Sequence, residues 1–237
     1  MSENKSVIKI GDVNPFSIVD FPDRIAAVVF MQGCPWRCPF CYNRELQPLD
    51  ISDEPLWTFE KFLLFIQKRK HALDAVVFSG GEPLMQKGLS KAVKEVKNLG
   101  FTVGLHTGGY DPKALENVLE YVDWVGFDIK GPKEKYKSLT GGFGIFDEVF
   151  KSLDMLIKSG VDFECRTTCD PRALTVEDLF ETGQFLKKAG VKEYYLQKYR
   201  PVESDKTTSD MQCEALISDK DLTAFLKASF EKFDVRR

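Results

Sequence analysis

Residues 25–41 read IAAVVFMQGCPWRCPFC, and the type of fold is indicated most clearly by this segment. Its first part, Ile25–Met31, is a nearly continuous apolar run, which is typical of a strand covered on both faces of a parallel sheet. Its second part carries Cys34, Cys38 and Cys41 with the spacing C-x3-C-x2-C. The cysteines are therefore predicted to lie on the loop that follows the first buried strand. In parallel α/β folds this is the edge where ligands bind.

Further strand-like runs follow this stretch and alternate with amphipathic helical patterns. The predicted strands are Ile25–Met31, Ala75–Ser79, Thr102–His106, Trp124–Lys130, Asp162–Thr168 and Glu193–Lys198. The predicted helices are Thr58–Lys70, Lys87–Leu99, Pro112–Tyr121, Phe146–Ser159 and Val176–Ala189. Gly100, Gly160 and Gly190 each follow a last turn that contains lysine, which is a helix C-cap pattern. Six strands alternating with helices predict an α/β fold, a partial (βα)6 TIM-like barrel with a parallel sheet and helices outside.

The whole chain, residues 1–237, is predicted to be a single domain. Its 237 residues, 43% of them hydrophobic, suffice for a core that needs no disulfides. Residues 1–22 are predicted to form a short N-terminal extension, for which a hairpin is one option. Residues 201–218 are polar and show no periodicity, so we expect a loop there, followed by a last helix over Asp219–Phe233.

Charge and hydropathy exclude several classes of protein. The chain carries 33 basic and 36 acidic residues, a net charge of −3, with no basic block, so nucleic-acid binding is not expected. The longest apolar runs fall far short of the roughly 20 residues that a membrane helix needs. The first ten residues, MSENKSVIKI, contain no apolar signal-peptide core. We therefore expect a cytoplasmic protein with reduced thiols.

The cysteine cluster is the most informative feature, because three of the six cysteines fall inside eight residues. In a chain without an export signal, this favours metal binding or redox chemistry over disulfides. Structural zinc sites and ordinary iron–sulfur clusters take four ligands, whereas three thiolates leave one iron of a [4Fe–4S] cluster open. Buried structural cysteines and a zinc site with a distant fourth ligand remain alternatives. Candidates for that fourth ligand are His71, His106, Cys165, Cys169 and Cys213.

The segment resembles the radical S-adenosylmethionine (SAM) superfamily, whose hallmark is C-x3-C-x-aromatic-C after the first barrel strand. Phe40 fills the aromatic position. The resemblance implies one [4Fe–4S] cluster, held by Cys34, Cys38 and Cys41, whose open iron binds the amino and carboxylate groups of SAM. One electron then cleaves SAM to methionine and a 5′-deoxyadenosyl radical.

Two further segments resemble parts of the SAM site. Gly80, Gly81 and Glu82, in the sequence SGGEP, match the superfamily's GGE segment, which contacts the SAM amino group. Asp128 and Lys130 follow the fourth predicted strand and match the D-x-K pattern of the glycyl-radical-enzyme activase branch. That branch implies that both lie near the SAM carboxylate, with a small cation at Asp128 as one option. Because the two residues alternate along a strand, they point to opposite faces unless the strand already ends there.

The resemblance also implies partners. Residues 16–34, FSIVDFPDRIAAVVFMQGC, are closest to activators of anaerobic ribonucleoside-triphosphate reductase. The implied protein substrate is a glycyl-radical enzyme, and the implied electron donor is flavodoxin or ferredoxin.

Several positions depart from the activase pattern or stay open. Its C-H-N is here Cys41-Tyr42-Asn43, and its D-T-N-G is HTGG at 106–109, so the cation site is in doubt because histidine binds hard cations poorly. Tyr42 remains a candidate cofactor-binding residue. Arg166 matches a basic position of the branch or is a surface ion-pair residue. The remaining cysteines are expected to be reduced structural thiols, with a second cluster as the alternative: Cys165, Cys169 and Cys213.

Three functions follow from these motifs. The first is a radical SAM activase that installs a glycyl radical on a partner enzyme. The second is a radical SAM enzyme that acts on a small molecule or a peptide, an option that Tyr42 and His106 keep open. The third is a non-catalytic iron–sulfur or zinc module.

Overall fold

In a computed structural model that describes residues 8–49, 56–202 and 205–237, strands and helices alternate along most of the chain. The strands are β1 (Ile10–Ser17), β2 (Ala26–Met31), β3 (Ala75–Gly80), β4 (Thr102–Thr107), β5 (Trp124–Asp128), β6 (Asp162–Cys169), β7 (Glu193–Lys198) and β8 (Lys232–Arg236). The helices are α1 (Phe59–Gln67), α2 (Leu89–Asn98), α3 (Pro112–Leu119), α4 (Lys133–Leu139), α5 (Phe146–Ser159), α6 (Val176–Ala189), α7 (Asp210–Ile217) and α8 (Lys220–Ser229). None of the helices in those ranges is long and apolar enough to cross a membrane.

The strands form one mostly parallel sheet whose order follows the chain from β1 to β8. β1 is antiparallel to β2, and the pairs β2–β3, β3–β4, β6–β7 and β7–β8 are parallel. In the β2–β3 pair, Val28 lies opposite Val77, and the first four residues of both strands are buried. Burial on both faces explains why these strands are continuously apolar rather than alternating. The predicted α/β class with a parallel sheet is confirmed.

The predicted elements agree with the structure to within about three residues at each end. The bounds of α5, α6 and β7 are as predicted. Gly100, Gly160 and Gly190 adopt φ values of +86°, +76° and +91°, in the left-handed region that ends helices, so the predicted C-caps are confirmed. β1 makes a hairpin with β2, which was one of the options for the N-terminal extension. Residues 1–7 of that extension lie outside the described residues.

The C-terminal prediction is wrong in two places. The expected loop over 201–218 contains α7, whose start carries a capping box formed by Ser209 and Gln212. The expected last helix over Asp219–Phe233 is shorter, because α8 ends at Ser229 and β8 follows it. β8 adds one parallel strand after the six predicted ones, paired with β7. The sequence of β8, KFDVR, alternates polar and apolar residues, which is the pattern of a half-buried strand. The short helix α4 was not predicted either.

Clustering of contacts divides the chain into two compact units. The first comprises the described parts of 1–35, 43–126 and 147–162, and the second comprises 36–42, 127–146 and the described parts of 163–237. The single-domain organisation stays a prediction.

The core of the first unit is organised around Phe21, which lies in the turn between β1 and β2. Phe21 is buried with Ala26, Val28, Ala75, Val77 and Trp124. Its ring centroid lies 5.4 Å from that of Trp124. A Cβ on Gly104 of β4 would lie 2.9 Å from the Phe21 ring, so the glycine makes room for this side chain. The hairpin therefore contributes a core residue rather than a surface flap.

In the second unit, side chains reinforce the pairing of β6, β7 and β8. Arg236 of β8 donates to the Glu164 carboxylate on β6 at 2.8 Å, and its guanidinium lies 3.9 Å from the centroid of the Tyr195 ring on β7. Tyr194 of β7 donates through its hydroxyl to Thr167 Oγ1 at 2.8 Å. The contacts of Arg236 bind the last strand to the sheet, and the Tyr194 hydrogen bond joins β7 to β6.

Phe21→Ala should lower the free energy of unfolding by about 3–5 kcal/mol, because it leaves a cavity among buried side chains. Urea denaturation followed by tryptophan fluorescence measures the change. Phe16→Ala removes a ring that is 58% exposed, so this control should change stability by less than about 0.5 kcal/mol. A Phe21 variant as stable as the wild type would show that the hairpin is not part of the core.

Candidate functional site

The first part of the cysteine loop is held by the segment 45–48 of the first unit. The Gly33 and Cys34 amides donate to carbonyls of that segment at 2.7 and 3.2 Å. The side-chain amide of Gln32 donates to two more of its carbonyls, at 2.8 and 3.2 Å. Gly33 has a φ of +100°, which glycine adopts without strain. The backbone at Cys34 is therefore fixed by local hydrogen bonds.

Gly80 and Gly81 bring the end of β3 against the same loop. A Cβ on Gly80 would clash with the backbone N of Met31, and a Cβ on Gly81 would clash with the carbonyl O of Gly33. The Glu82 amide donates to that Gly33 carbonyl at 2.9 Å. The two glycines thus allow the end of β3 to lie directly against the backbone of the cysteine loop.

The Glu82 carboxylate joins the end of β3 to the end of β4. It is buried and accepts hydrogen bonds from Leu84 N at 3.0 Å, Thr107 Oγ1 at 2.6 Å and Gly108 N at 2.9 Å. A carboxylate offers about four lone-pair sites, so these donors engage most of its capacity. The carboxylate of Glu82 is thus a structural bridge, and its backbone is the part suited to a ligand.

His106, where the activase pattern has an acid, anchors the N-terminal hairpin. Its Nε2 lies 2.8 Å from the carbonyl O of Asp20 and its Nδ1 lies 3.5 Å from Ser79 Oγ. Because a carbonyl only accepts, Nε2 is the donor of the hydrogen bond to Asp20. The ring also meets Trp124 edge to face at 5.6 Å. These contacts give His106 a structural role in holding the hairpin.

Cys38 and Cys41 lie in the second unit, in a turn where the Cys41 amide donates to the Cys38 carbonyl at 3.2 Å. Phe40, in the aromatic position of the motif, is buried, and so is Trp36, whose ring meets Tyr136 edge to face at 6.3 Å. These aromatic side chains fix the loop by packing, while all three cysteines of the motif are free thiols with partial exposure.

Burial raises the pKa of the Cys38 thiol, while the Lys130 ammonium opposes this shift and the nearby Cys41 and Asp128 add to it. Without a metal, Cys38 is therefore protonated at neutral pH. Metal binding needs the thiolate, so loading of the site would release this proton.

Asp128, Lys130 and Arg166 form a charge cluster in the second unit. Asp128 Oδ1 accepts from Arg166 Nε at 2.9 Å, and Asp128 Oδ2 accepts from Lys130 Nζ at 3.3 Å. The option that Asp128 and Lys130 point to opposite faces is wrong, because β5 ends at Asp128 and the chain leaves the strand there. The surface position considered for Arg166 is also wrong, because this side chain is buried.

The charge cluster carries one carboxylate and two cations, a net charge of +1. This balance suits an anionic group of a ligand, such as a carboxylate. A small cation at Asp128 is disfavoured, because both carboxylate oxygens already face cationic side chains.

Tyr42 ties the end of the cysteine motif to the segment after β7. Its hydroxyl accepts a hydrogen bond from Arg200 N at 2.8 Å, and its ring stacks on Tyr199 at 6.0 Å. The Tyr199 hydroxyl lies 2.9 Å from the Arg172 guanidinium and 3.1 Å from the Asp205 carboxylate. Arg172 in turn binds the fully buried Asp170. The sequence reasoning missed this network, whose only local signal is the aromatic residue directly after a strand.

The other three cysteines are buried in the second unit. Burial raises the pKa of the Cys165, Cys169 and Cys213 thiols, so they are neutral at physiological pH. Cys169 Sγ lies 3.4 Å from the Thr167 carbonyl, as a thiol donor would. In the described ranges, no three His, Cys, Asp or Glu side chains converge on a position for a single metal ion. The assignment of Cys165, Cys169 and Cys213 as structural thiols stays a prediction.

The donor set fits an iron–sulfur cluster. The motif supplies three soft thiol ligands, and its backbone is braced by a glycine pair that leaves no space for side chains. A family model described as the radical SAM superfamily matches residues 28–186. The chain belongs to the radical SAM superfamily. Members of this superfamily use a [4Fe–4S] cluster and SAM.

Two curated relatives are similar over much of the chain. A candidate glycyl-radical enzyme activating enzyme of Methanocaldococcus jannaschii is 28% identical over 205 residues, which are 82% of this chain and 81% of that one. The pyruvate formate-lyase-activating enzyme of Clostridium pasteurianum is 33% identical over 153 residues, 62% of this chain and 63% of that one.

Solved structures share the fold at low identity. Streptococcus suis SuiB bound to SAM gives a TM-score of 0.66 at 15% identity, covering 87% of this chain and 48% of that chain. QueE from Escherichia coli gives 0.59 at 15% identity, covering 97% and 94%. This radical SAM chain thus spans about half the length of SuiB, and both likenesses concern the fold alone.

Gly81→Ala should prevent cluster assembly, because the new Cβ would clash with the Gly33 carbonyl and displace the loop at Cys34. Iron and sulfide per chain after anaerobic reconstitution measure the effect. Gly160→Ala is the control, since nothing lies within 4 Å of its Cβ, so that only the left-handed backbone, at roughly 1–2 kcal/mol, opposes the substitution. A full cluster in the Gly81 variant would contradict the role given to this glycine.

Replacing Cys34, Cys38 or Cys41 by Ala should abolish the visible absorption of the reconstituted protein, since each supplies one ligand. Cys165→Ala and Cys213→Ala should retain it, because these thiols are buried and neutral. Absorption lost in the second group would show that the ligands are misassigned or that another cluster exists.

Proposed function

We propose that this protein is a radical SAM activase that reductively cleaves SAM and installs a glycyl radical on a partner enzyme. The observation that carries the proposal is the similarity to a candidate glycyl-radical enzyme activating enzyme over four-fifths of both chains. The similarity to a pyruvate formate-lyase-activating enzyme supports the same reaction class.

Cys34, Cys38 and Cys41 would hold the cluster and leave one iron open for SAM. When bound, the cluster and SAM would supply a one-electron reductive cleavage of the sulfonium C–S bond, the chemistry needed for hydrogen-atom abstraction from a glycine Cα. The protein's own part is binding, orientation and exclusion of water. Phe40 is buried, so it acts by fixing the loop backbone.

The chain provides separate groups for the two ends of the methionine part of SAM. The backbone of Gly80, Gly81 and Glu82 is assigned to the amino group, since the Glu82 carboxylate already bridges two strands. Lys130 and Arg166 are assigned to the carboxylate, because they outnumber the Asp128 charge between them. Tyr42 acts through Tyr199 and Arg200 by holding the loop after Cys41.

Anaerobic ribonucleoside-triphosphate reductase is the partner we assign. Its support is the stretch at residues 16–34, which resembles activators of that enzyme. Flavodoxin or ferredoxin is the assigned electron donor. The reaction is placed in the cytoplasm, where thiols such as those of the motif stay reduced.

The deciding experiment mixes the reconstituted, chemically reduced protein with SAM and the anaerobic ribonucleoside-triphosphate reductase of the same organism. We expect methionine and 5′-deoxyadenosine in equal amounts, and a glycyl radical signal by electron paramagnetic resonance. A matched sample with a reductase whose acceptor glycine is replaced by alanine should show no signal. If the wild-type pair gives none either, the assignment of this partner is wrong.

A radical SAM enzyme for a small molecule or a peptide is the second candidate. The observations that favour it are Tyr42 and His106, which stand where activases carry other residues. SAM cleavage without a glycyl radical on any glycyl-radical enzyme tested would support this candidate. A cluster-loaded protein that releases no 5′-deoxyadenosine would overturn both enzyme assignments and favour a non-catalytic module.

A further inference from the structure

A turn directly after β6, residues 170–174, carries Arg172. The carbonyl of Asp170 accepts hydrogen bonds from the amides of Ala173 and Leu174 at 3.0 and 2.9 Å. The carboxylate of Asp170 accepts a further hydrogen bond from the Arg172 amide at 2.9 Å. The backbone that carries the Arg172 side chain is therefore fixed by hydrogen bonds to Asp170.

The Arg172 guanidinium joins groups from three places along the second unit. It donates to the Asp170 carboxylate at 2.6 Å and to the Tyr199 hydroxyl at 2.9 Å, and it lies 2.7 Å from the Asp205 carboxylate. Asp170 and Tyr199 come directly after β6 and β7, and Asp205 lies in the segment before α7. One planar group thus holds the ends of two neighbouring strands and the segment that follows them.

The partners of Arg172 are buried. Asp170 and Tyr199 are fully buried, and the side chain of Asp205 is 2% exposed. Buried ion pairs contribute little net stability compared with apolar side chains of the same volume, and they can instead fix one arrangement. A lysine at position 172 would keep the charge, but it lacks the planar guanidinium that binds several acceptors at once. What the arginine adds over a lysine is therefore a fixed geometry around Tyr199.

The placement of Tyr199 bears on the placement of Tyr42. The two rings are stacked, with centroids 6.0 Å apart and an angle of 16° between their planes. The Tyr199 hydroxyl is held by Arg172 and by the Asp205 carboxylate at 3.1 Å, and the Arg172 guanidinium also lies 4.9 Å from the centroid of the Tyr199 ring. Tyr42 is 47% exposed, so the stacking on Tyr199 restricts a ring that solvent does not.

Tyr42 in turn bears on Cys41, which directly precedes it. The Cys41 amide donates to the Cys38 carbonyl at 3.2 Å, and the Tyr42 hydroxyl accepts from the Arg200 amide at 2.8 Å. The backbone at Cys41 thus lies between a hydrogen bond on one side and the anchored Tyr42 on the other. A cluster ligand needs such support, because its position must be set by the residues around it.

We propose that Arg172 is a positioning residue for Cys41. Arg172 holds Tyr199, Tyr199 holds Tyr42, and Tyr42 fixes the backbone of the ligand; all four residues lie in the second unit. The inference rests on the part of the proposed function that gives the cluster to the three cysteines of the motif, and not on the identity of the partner enzyme. Because Arg172 acts through two other side chains, its replacement should loosen the site without removing a ligand.

The test measures how fast the anaerobically reconstituted protein loses iron to the ferrous-iron chelator ferrozine. Arg172→Lys keeps a positive charge beside the buried carboxylates but no longer fixes Tyr199, so iron release should be about five- to tenfold faster than in the wild type. Tyr199→Phe removes the hydroxyl that Arg172 holds and keeps the ring, so it should accelerate release as well. This second variant decides the question if Arg172→Lys does not fold.

A double variant separates positioning from general stability. Tyr42→Ala should itself accelerate iron release, and Arg172→Lys added to it should change the rate by less than about twofold, because the connection to Cys41 is already broken. Arg172→Lys should still lower the urea midpoint of the cluster-free Tyr42→Ala protein. The reason is that the contacts of Arg172 with Asp170 and Asp205 do not involve Tyr42.

Lys198→Gln is the matched control. Lys198 directly precedes Tyr199 and lies 2.7 Å from the Asp210 carboxylate and 3.3 Å from the Glu214 carboxylate, both on α7. The substitution removes a cation from the same strand end and leaves Arg172 in place. Iron release should change by less than about twofold, because Asp210 is 80% exposed and stays solvated.

Iron release at the wild-type rate in a folded Arg172→Lys protein, or in Tyr199→Phe where the lysine variant does not fold, would overturn the inference and leave the cluster assignment standing. An equal acceleration by Arg172→Lys with and without Tyr42 would overturn it too, since Arg172 would then act on overall stability alone. If Cys41→Ala retains a full cluster, the ligand assignment in the proposed function fails, and the inference about Arg172 fails with it.

Discussion

The contact between two backbones, at Gly33 and Gly81, is the constraint on which the candidate site depends. The ends of β2 and β3 approach so closely there that neither glycine of the pair at 80–81 could carry a side chain. Hydrogen bonds from the Gly81 and Glu82 amides to the Met31 and Gly33 carbonyls close the same gap. A loop with three cysteines needs such support, because ligands to a cluster must be held in position before the metal arrives.

The charge cluster after β5 obeys a different constraint. Burying a guanidinium is unfavourable unless a carboxylate compensates it, and Asp128 provides that compensation for Arg166 while also facing Lys130. Such an arrangement contributes little net stability, since hydrophobic residues could fill the same volume. Its value lies in a fixed excess of positive charge at the end of a strand, ready for an anionic ligand group without rearrangement.

Much of the fold was predictable because the signals are local. Strands β2 and β3 are continuous apolar runs, and left-handed glycines such as Gly190 end helices visibly in the sequence. α7 was missed because its capping box lies in a polar segment. β8 was missed because it is a short alternating strand that follows a helix closely. The motif cysteines were found by spacing. The relation of Asp128 to Arg166 depends on two strands distant in sequence, so no local pattern could reveal it.

Glu82 connects the cysteine loop after β2 with the end of β4. Its amide holds the cysteine loop at Gly33, while its carboxylate holds Thr107 and Gly108 at the end of β4. A shift of β4 is thereby transmitted to the loop without passing through any ligand. Substitutions at Thr107 would consequently disturb the cysteine loop through Glu82, even though Thr107 lies on a different strand from the cysteines. More positions can therefore impair the site by substitution than the positions whose side chains line it.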